Sequence, residues 1–557
     1  MRAHLSASAL RPPAHRHQPH HKLPGHAITV VFAFLSAPFF LGLTQRMASY
    51  ASWEWIGIVV LVVVGSVWQA SKERRKLPPG PKGLPFLGNV LDVPDRFPEK
   101  TLYEWGKEYG DVMYLKLFRT PTIVLNSIEA AKDILDKRSA RCSDRPPMVF
   151  FGEMIGQAGS LPCLGYGDRF RKVRKWLYDG VKSKEKLHSY QPLQHRALGI
   201  LLRSLLRTPD HFMDHIHLYF AVILTEVLYG KQVDSLDNEL VRVAERGIDE
   251  SNNTGTPAGK LVDFFPILKH IPAWFPYAHF KRQAIAARQH IDVWLFFGYD
   301  LIRSEMALGT VQPCVLASVL SEYNGQPTAL EEIDIKGLAT NVYGAGVETS
   351  RSTLQMFILH MTRNPHVFRK AQEEMDRVVG VERLPDFSDR DSLPYLKAIM
   401  EEVYRWNPAL PTAIPHRTMM DDQYRGFDIP AGSMLIPNIW AMSRDTRYYP
   451  NPEEFSPERY LSTEVKDKGS VLLPSSFVFG FGRRVCPGQA FAQASVWLAV
   501  ANIIALFDIS KATDQDGNVI TPPAEFLSGF TSQPVPFVCQ IRPRSSKMVD
   551  MINQLDA

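Results

Sequence analysis

The fold of this chain is decided by one stretch near its C-terminal end, which reads Phe479-Gly480-Phe481-Gly482-Arg483-Arg484-Val485-Cys486-Pro487-Gly488. Its glycines allow a tight loop whose backbone N–H groups can turn toward a sulfur atom. Cys486 stands just before an apolar helical pattern, where the helix dipole stabilises a thiolate. A cysteine in a glycine-rich loop is more often structural, but the complete pattern Phe-x-x-Gly-x-Arg-x-Cys-x-Gly favours a thiolate ligand to haem iron.

A second pattern lies upstream, in Asn341-Val342-Tyr343-Gly344-Ala345-Gly346-Val347-Glu348-Thr349-Ser350. Each glycine inside a long helical pattern costs about 1 kcal/mol relative to alanine, which predicts a close approach to a ligand. Glu348 and Thr349 supply a carboxylate and a hydroxyl side by side, a combination suited to delivering protons. Taken alone, a threonine in a helix more often bonds back to its own helix, and that alternative stays open.

A third pattern is a pair of opposite charges, Glu402 and Arg405, three residues apart in a helical stretch. Side chains at this spacing meet on one face of a helix. If the pair is exposed to water it contributes little to stability. A second arginine, Arg459, follows in the stretch Phe455–Tyr460.

Together these stretches resemble the cytochrome P450 family of haem-thiolate monooxygenases. The resemblance covers residues 70–545 and extends to the membrane-bound fungal members of basidiomycete secondary metabolism. It implies a mainly α (α+β) fold in which haem b lies between a long distal helix and a proximal loop carrying Cys486, the metal ligand. Thr349 would stabilise iron-bound oxygen, and Glu348 would relay protons toward it.

The resemblance also implies the remaining contacts. Glu402, Arg405 and Arg459 would form one buried network with a folding role. The residues expected to hold the cofactor are Arg174, His416 and Arg484 at the propionates, Phe479 beside the sulfur, and Gly346 on the distal helix. In the helix that ends the pattern at Arg174, the family has Trp-x-x-x-Arg. This chain has Phe170 in place of the tryptophan, so one donor to a propionate is missing. For Arg174 taken alone, an exposed basic helix face is the simpler interpretation.

The implied activity is insertion of one atom of O2 into a C–H bond. No flavin or nicotinamide fingerprint occurs, so the electrons of NADPH would arrive through a membrane-bound cytochrome P450 reductase, or through cytochrome b5. Arg169, Lys172 and Lys175 could meet an acidic surface on that partner. The rival readings are a haem electron carrier or sensor, and an oxygen-independent haem-thiolate isomerase or dehydratase. The adjacent Glu348 and Thr349 argue against both.

The substrate is expected to be an apolar small molecule. A terpenoid in natural-product biosynthesis is the leading hypothesis, with an aromatic, indole or xenobiotic compound as the alternative. The residues that the resemblance places in the pocket are Asn341, Phe150, Phe151, Ile414 and Phe530. A second apolar stretch, Phe264–Pro276, could dip into a membrane and give the substrate direct access, although an ordinary buried loop is an equal alternative.

The N-terminal end carries most of the charge asymmetry. The chain has 557 residues with a net charge of +5, and residues 1–80 hold nine Lys or Arg against Glu54 and Glu73. The rest is weakly acidic, which is not typical of a nucleic-acid binder. An apolar run over residues 49–70, followed by five mostly basic residues, predicts a single membrane-spanning helix with the globule on the cytoplasmic side. We expect a monomeric protein of the endoplasmic reticulum membrane. The apolar run Ala27–Leu43 could be a second membrane span.

The predicted organisation is a basic His-rich tail (1–26), an anchor region (27–70), a basic and Pro-rich hinge (71–89), one haem domain (90–545) and a tail (546–557). Five cysteines without a CxxC pair argue against a disulfide scaffold or a structural zinc site. Helical periodicity predicts helices over Ser127–Arg138, Tyr166–Asp179, Ile333–Met361, Pro365–Val379, Leu393–Trp406 and Gln489–Phe507. Short strands are predicted over Val112–Phe118, Thr122–Leu125 and Ser433–Asn438.

Overall fold

The longest helix of the protein runs through its centre, from Ala329 to Arg363. It begins at a capping box, in which the Thr328 hydroxyl accepts from the Glu331 amide (3.4 Å) and the Glu331 carboxylate accepts from the Thr328 amide (2.9 Å). This exchange satisfies donors that a helix start would otherwise leave open. The computed structural model describes residues 75–253, 255, 259–461 and 472–555.

Helices dominate the described residues, as the periodicity predicts. Those of eight or more residues are α1 (Pro98–Tyr109), α2 (Asp168–Val181), α3 (Gln191–Arg207), α4 (Phe212–Tyr229), α5 (Glu239–Asn253), α6 (His279–Leu308), α7 (Ala329–Arg363), α8 (Pro365–Val378), α9 (Pro394–Trp406), α10 (Gln489–Leu506) and α11 (Ser546–Asn553). Shorter α-helical pieces are Ile128–Ala131, Ser139–Cys142, Lys184–Ser189, Leu261–Phe264, Val315–Ser321 and Ile439–Met442; π-helical turns are Lys132–Lys137 and Val149–Met154. The first predicted helix is capped by the Ser127 hydroxyl, which accepts from the amide of Ala130.

The strands are short and form small sheets. They are β1 (Val112–Leu117), β2 (Thr120–Leu125), β3 (His416–Arg417), β4 (Asp422–Tyr424), β5 (Phe427–Ile429), β6 (Met434–Pro437), β7 (Phe507–Thr513), β8 (Val519–Ile520), β9 (Phe526–Leu527), β10 (Gln533–Pro534) and β11 (Cys539–Pro543). The largest sheet has the order β1-β2-β6-β3, with β6 parallel to β2 and the other pairs antiparallel. The α-rich α+β architecture is therefore confirmed.

The main core forms around α7 and α10, which pack against each other and against α4, α8 and α9. Because α10 is apolar on all sides, it needs neighbours on all sides. Among the described residues it is the one helix long and apolar enough to cross a membrane, and it lies mostly buried inside the protein. A helix that follows Cys486 directly and is clamped in the core gives the preceding loop a fixed support.

Both ends of the described chain pack onto the domain. In the Pro-rich segment predicted as a hinge, the Pro79 carbonyl accepts from the Tyr114 amide (2.9 Å) and the Lys76 carbonyl from the Asp428 amide (2.7 Å). At the other end, residues predicted as a tail form α11, whose Met548 and Ile552 are buried. The apolar period of those two side chains is the physical reason for the helix. The predicted basic tail, the run Ala27–Leu43 and the anchor helix 49–70 lie outside the described residues.

Candidate active site

The Cys486 loop is held by main-chain geometry. The Cys486 amide donates to the carbonyl of Phe479 (2.8 Å), which closes the turn. Gly480 and Gly482 have φ of 85° and 53°. A Cβ on Gly482 would lie 2.2 Å from the carbonyl oxygen of Leu135, so a larger residue would push the loop off its neighbour. The sequence pattern therefore reflects a real steric requirement at this position.

The sulfur of Cys486 lies where α10 begins. Burial raises the pKa of the Cys486 thiol, while hydrogen bonds from the backbone amides of Gly488 and Gln489 and the charge of Arg174 act in the opposite direction. Such amides stabilise a thiolate ligand once a metal cation replaces the proton. All five cysteines of the chain lie within described residues and are free thiols, and Cys486 is partly buried.

A cluster of cationic groups lies beside this loop. Arg484 is buried and donates to the carbonyls of Ser143 and Leu164 (both 2.7 Å), with its guanidinium 3.8 Å from the ring of Phe170. Arg174 donates to the carbonyl of Val485 (2.8 Å), which is next to Cys486. The phenylalanine that replaces the family tryptophan thus serves as a flat support for Arg484.

The cluster contains one residue that the sequence did not single out, Arg145. It is buried and donates to the carbonyls of Ile414 (2.7 Å) and Pro415 (2.6 Å). Burial, with the charge of Arg484 next to it, lowers the pKa of Arg145; burial lowers the pKa of Arg484 to about 10. His416 is also buried, and its pKa is well below the usual range because of burial and the charge of Arg145.

These groups fit the acidic edge of a haem. Three guanidinium groups and one imidazole share this buried region. The one carboxylate whose charge raises the pKa of both Arg145 and Arg484 is Asp144. Arg174 Nη1 is buried with no hydrogen-bond partner among the described residues. Buried cations are stable when paired with anions, so two propionates would supply what the cluster lacks. Arg145, Arg174, Arg484 and His416 would hold them, with Cys486 ligating the iron.

The middle of α7 opens onto a space that protein atoms do not fill. Ala345 is exposed although Tyr343 and Val347 beside it are buried. The Thr349 hydroxyl, one turn further, donates to the carbonyl of Ala345 (2.7 Å), which is the back-bonding arrangement that the sequence left open. The Thr349 hydroxyl therefore lies on the same side of the helix as the exposed Ala345, and it is hydrogen-bonded to the backbone of its own helix.

The Glu348 carboxylate is buried, and both of its oxygens accept hydrogen bonds. Its oxygens accept from the guanidinium of Arg351, from the amide of Gln533 (2.8 Å) and from the amide of Asn252 (3.3 Å). The network continues outward, because Arg351 also donates to the ring of His217 (3.3 Å). Glu348 is therefore tied to α5, to α4 and to the hairpin of β9 and β10.

Comparison with known proteins identifies the family. The family model for cytochrome P450 matches residues 78–540. The chain belongs to the cytochrome P450 family. It is 40% identical over 500 residues, 89% of this chain and 96% of the relative, to cytochrome P450 monooxygenase 176 of Postia placenta. It is 37% identical over 541 residues, 96% of each chain, to cytochrome P450 monooxygenase claR of Ampulloclitocybe clavipes.

A third relative is cytochrome P450 monooxygenase ple1 of Rhodocybe pseudopiperita, which is 35% identical over 506 residues, 90% of this chain and 95% of the relative. The organisms and names of these relatives agree with the fungal monooxygenases that the motifs resemble. The protein is accordingly an oxidoreductase, a cytochrome P450 monooxygenase, and haem with a cysteine thiolate ligand is the cofactor that this family uses.

In this P450 the side chains of Glu402, Arg405 and Arg459 form one hydrogen-bonded network. The Arg405 guanidinium donates twice to the Glu402 carboxylate (both 2.8 Å), and both side chains are 0% exposed. Arg459 (3.1 Å), the Tyr460 hydroxyl (2.9 Å) and the Ser456 amide (2.9 Å) also donate to that carboxylate. A buried carboxylate with five donors satisfies the requirement that buried charges be paired and hydrogen-bonded.

Two predicted site residues of the P450 make close contacts within the protein. A Cβ on Gly346 would meet the side chain of Leu224 at 2.6 Å, so this glycine makes room for α4. Phe150 is buried in an apolar cluster with Val262 and α6.

The remaining pocket candidates, Asn341, Phe151, Ile414 and Phe530, are half-buried, and so is Phe479, whose ring packs against Tyr404 (5.6 Å). The three cations predicted to meet a reductase are already paired within the P450. Arg169 donates to the buried Asp334 (2.6 Å), Lys172 contacts Glu331, and Lys175 contacts Asp179 (2.6 Å). Arg169 therefore stabilises the contact between α2 and α7.

Proposed function

We propose that this P450 hydroxylates an apolar small molecule, most simply a terpenoid in natural-product biosynthesis. When bound, the haem supplies the oxidising chemistry that inserts one atom of O2 into a C–H bond. The observation that carries the proposal is the adjacent carboxylate and hydroxyl of Glu348 and Thr349, one turn from the exposed Ala345 in the middle of α7. An electron carrier needs no such pair.

Proton handling by the chain's own groups follows from these contacts. The Thr349 hydroxyl can rotate away from the Ala345 carbonyl and donate into the cavity, because a hydroxyl rotor is free to change its acceptor. The Glu348 carboxylate would accept protons from water and pass them to the Thr349 hydroxyl, while Arg351, Gln533 and Asn252 orient it by their hydrogen bonds. Exposure to water increases from the Glu348 side chain (6%) to the Arg351 side chain (18%), so water reaches the carboxylate from this side.

An apolar substrate is supported by the character of the candidate lining. Phe151, Ile414 and Phe530 offer hydrocarbon surface, and Asn341 is the one polar side chain among these candidates. Burying apolar surface is the main driving force for binding such a molecule. An aromatic or indole compound would fit the same apolar lining, so only incubation with both classes of compound decides between them.

Access from a membrane is supported by exposed apolar side chains. Trp274 is 80% exposed and Ile267 is 74% exposed, both in the stretch proposed to dip into the bilayer, and Phe86 in the Pro-rich segment is 86% exposed. Large exposed apolar groups are costly in water unless a partner or a membrane covers them. We propose a protein bound to the endoplasmic reticulum membrane through residues 49–70, with an NADPH–P450 reductase or cytochrome b5 as electron donor.

The first experiment tests the thiolate assignment. The reduced carbon monoxide complex of the wild type should show the red-shifted Soret band of thiolate ligation. Cys486→Ala should abolish this band, whereas Cys539→Ala, a buried cysteine in β11, should keep it. A red-shifted band in the Cys486 variant would contradict the assignment.

The second experiment separates oxygen insertion from isomerisation. Microsomes with reductase and NADPH are incubated with a panel of sesquiterpene hydrocarbons and indoles, and products are analysed under ¹⁸O2. The label should enter one product class, and Thr349→Ala should raise the yield of peroxide per NADPH. The control is Thr353→Ala, whose hydroxyl bonds back to Thr349 one turn away. Conversion without O2 uptake would instead support the isomerase reading.

A further inference from the structure

Helix α9 carries two neighbouring carboxylates that lead to different segments of the chain. Glu402 meets Arg405 and Arg459 in the buried network described above. The side chain of Glu401 leaves the helix about 100° away, and this residue is also buried, at 6% exposed. Its two oxygens accept from the amide (2.9 Å) and from the hydroxyl (2.7 Å) of Ser475. The network of Glu402 therefore does not account for Glu401.

Ser475 lies at the base of the Cys486 loop. It belongs to the short 3₁₀ turn Pro474–Ser476, from which the chain runs into the loop. Its carbonyl accepts from the side-chain amide of Gln489 (3.1 Å), which is 14 positions further along the chain. Because Ser475 precedes Cys486 and Gln489 follows it, this bond joins the chain that enters the loop to the chain that leaves it. Glu401 thus holds the base of the loop from α9.

Gln489 is the first residue of α10, and its backbone amide is one of two that hydrogen-bond to the sulfur of Cys486. The other amide belongs to Gly488, the N-cap residue, and among the described residues no side chain caps this helix start. Helix ends without a cap fray easily, and a shift of the first turn would carry the Gln489 amide away from the sulfur. The bond from the Gln489 side chain to Ser475 therefore fixes the direction of an amide that stabilises the thiolate.

A second contact shows that the same side of α9 faces the loop. Tyr404 follows Glu401 by three residues, so the two side chains share a face of the helix. The Tyr404 ring packs edge-on against Phe479, with 5.6 Å between the ring centroids. The carbonyl of Phe479 in turn accepts from the amide of Cys486 (2.8 Å). Helix α9 therefore supports the loop at two points, by hydrogen bonds through Glu401 and by packing through Tyr404.

A buried carboxylate is an unfavourable group for a contact that serves packing alone. Burial raises the pKa of Glu401, while the amide and hydroxyl of Ser475 and the charges of Lys397 and Arg390 act in the opposite direction. A glutamine could accept from the same amide without burying a charge. A charged acceptor makes shorter and stronger hydrogen bonds than a neutral one, so it holds Ser475 more rigidly. That rigidity suits a metal ligand, since the groups around a ligand set its orientation and its donor strength.

We propose that Glu401 is a positioning residue for the thiolate ligand, which holds the Gln489 backbone amide on the sulfur of Cys486 through Ser475. A hydrogen bond to a thiolate draws charge from the sulfur, which raises the reduction potential of the bound metal and disfavours protonation of the sulfur. Glu401 bonds to Ser475 and not to the sulfur itself, so it acts on the ligand through the two residues between them. The inference rests on the proposed function, because it takes Cys486 as the haem ligand.

The test uses the full-chain holoenzyme, after the reduced carbon monoxide complex of the wild type has shown the thiolate-type Soret band. In Glu401→Ala the reduction potential of the haem iron should shift to more negative values, because the hydrogen bond to the sulfur weakens. The iron–sulfur stretching band in the resonance Raman spectrum should move to higher frequency for the same reason. The thiolate-type band should decay about tenfold faster in mild urea, the effect of one lost hydrogen bond to a charged acceptor.

A double-mutant cycle tests the route through Gln489. Gln489→Ala should shift the reduction potential in the same direction as Glu401→Ala, and the two changes together should give no larger shift than one alone. Glu401→Gln keeps an acceptor for the Ser475 amide and should restore most of the wild-type potential. Additive shifts in the double variant would overturn the proposed route.

The matched control is Glu374 of α8, a carboxylate with the same exposure of 6%. It accepts from the amides of Tyr395 (2.8 Å) and Leu396 (2.9 Å) near the start of α9. Glu374→Ala should lower the urea midpoint as Glu401→Ala does, but it should leave the reduction potential and the Raman band unchanged. An unchanged potential in Glu401→Ala, or an equal shift in Glu374→Ala, would overturn the proposal.

Should Glu401→Ala not retain haem, Ser475→Ala decides, since it removes only the hydroxyl that bonds to Glu401. The reduction potential should then shift in the same direction by a smaller amount, and a wild-type potential in this variant would count against the positioning role. If the wild type itself lacks the thiolate-type band, the proposed function is overturned instead.

Discussion

Replacing Glu402 with Gln leaves two buried guanidiniums without the anion that they share. Arg405 loses two charge-assisted bonds at 2.8 Å and Arg459 one at 3.1 Å, while the new amide NH2 group faces donors where the carboxylate offered acceptors. Removing one partner of a buried ion pair costs about 3–5 kcal/mol. Since the Glu402 and Arg405 side chains are 0% exposed, water cannot compensate, and the upper part of this range is expected.

The assay follows the thiolate-type carbon monoxide spectrum of the full-chain protein after a fixed incubation in increasing urea. A loss of this size should lower the urea midpoint by about 1 M or more, given the usual dependence of unfolding free energy on urea. The matched control is Glu458→Gln, in the same short helix as Arg459, where the carboxylate is 41% exposed and contacts Lys370 (2.7 Å). Its midpoint should stay near that of the wild type. Equal midpoints for the two variants would refute the reasoning.

Three further predictions concern other parts of the molecule. Gly482→Ala should prevent stable haem retention, measured as the haem-to-protein ratio after gel filtration, because its Cβ would lie 2.2 Å from a main-chain oxygen. Burial raises the pKa of Asp263 to about 6, with backbone amides and Lys260 acting in the opposite direction, so protonation stabilises the contact between the turns Val149–Met154 and Leu261–Phe264. This contact is therefore strongest well below pH 6 and weakens as the pH rises through that value, and hydrogen exchange of the Val149 and Phe150 amides, corrected for its intrinsic pH dependence, should quicken over the same range, but not in Asp263→Ala. Arg351→Ala should raise peroxide formation, measured per NADPH consumed, because Glu348 loses its guanidinium, and Arg351→Lys should partly restore coupling.

Much of the architecture could be predicted from the sequence, because long helices repeat their apolar residues with a regular period. The bounds predicted for α7 and α9 agree with the structure to within four residues at either end. The Cys486 loop could be predicted as well, since a tight turn with a close main-chain neighbour requires glycine at Gly482. In each case the physical requirement acts on residues that are neighbours in the chain.

Contacts between distant segments could not be predicted in the same way. Arg145 meets the carbonyl of Ile414, 269 positions away, and Asp263 meets Phe150 across 113 positions. Nothing in the residues around either side chain shows which backbone atoms the fold will bring to it. Gly346 is a further case: the sequence predicted a close approach at this glycine, but not that Leu224 of α4 would lie 2.6 Å from a Cβ placed there.

The segment 145–164 also bears on protein engineering, because it begins at Arg145 and ends at the Leu164 carbonyl that accepts from Arg484. Exchanging this whole loop for that of a related P450 is an obvious way to graft a new specificity, yet the graft would replace both of these contacts of the cation cluster together with the predicted pocket residue Phe151. Chimeras with such junctions would lose cofactor occupancy and gain a new substrate profile in the same step. Junctions placed further inside, so that only residues 148–156 are exchanged, would keep the two properties separable.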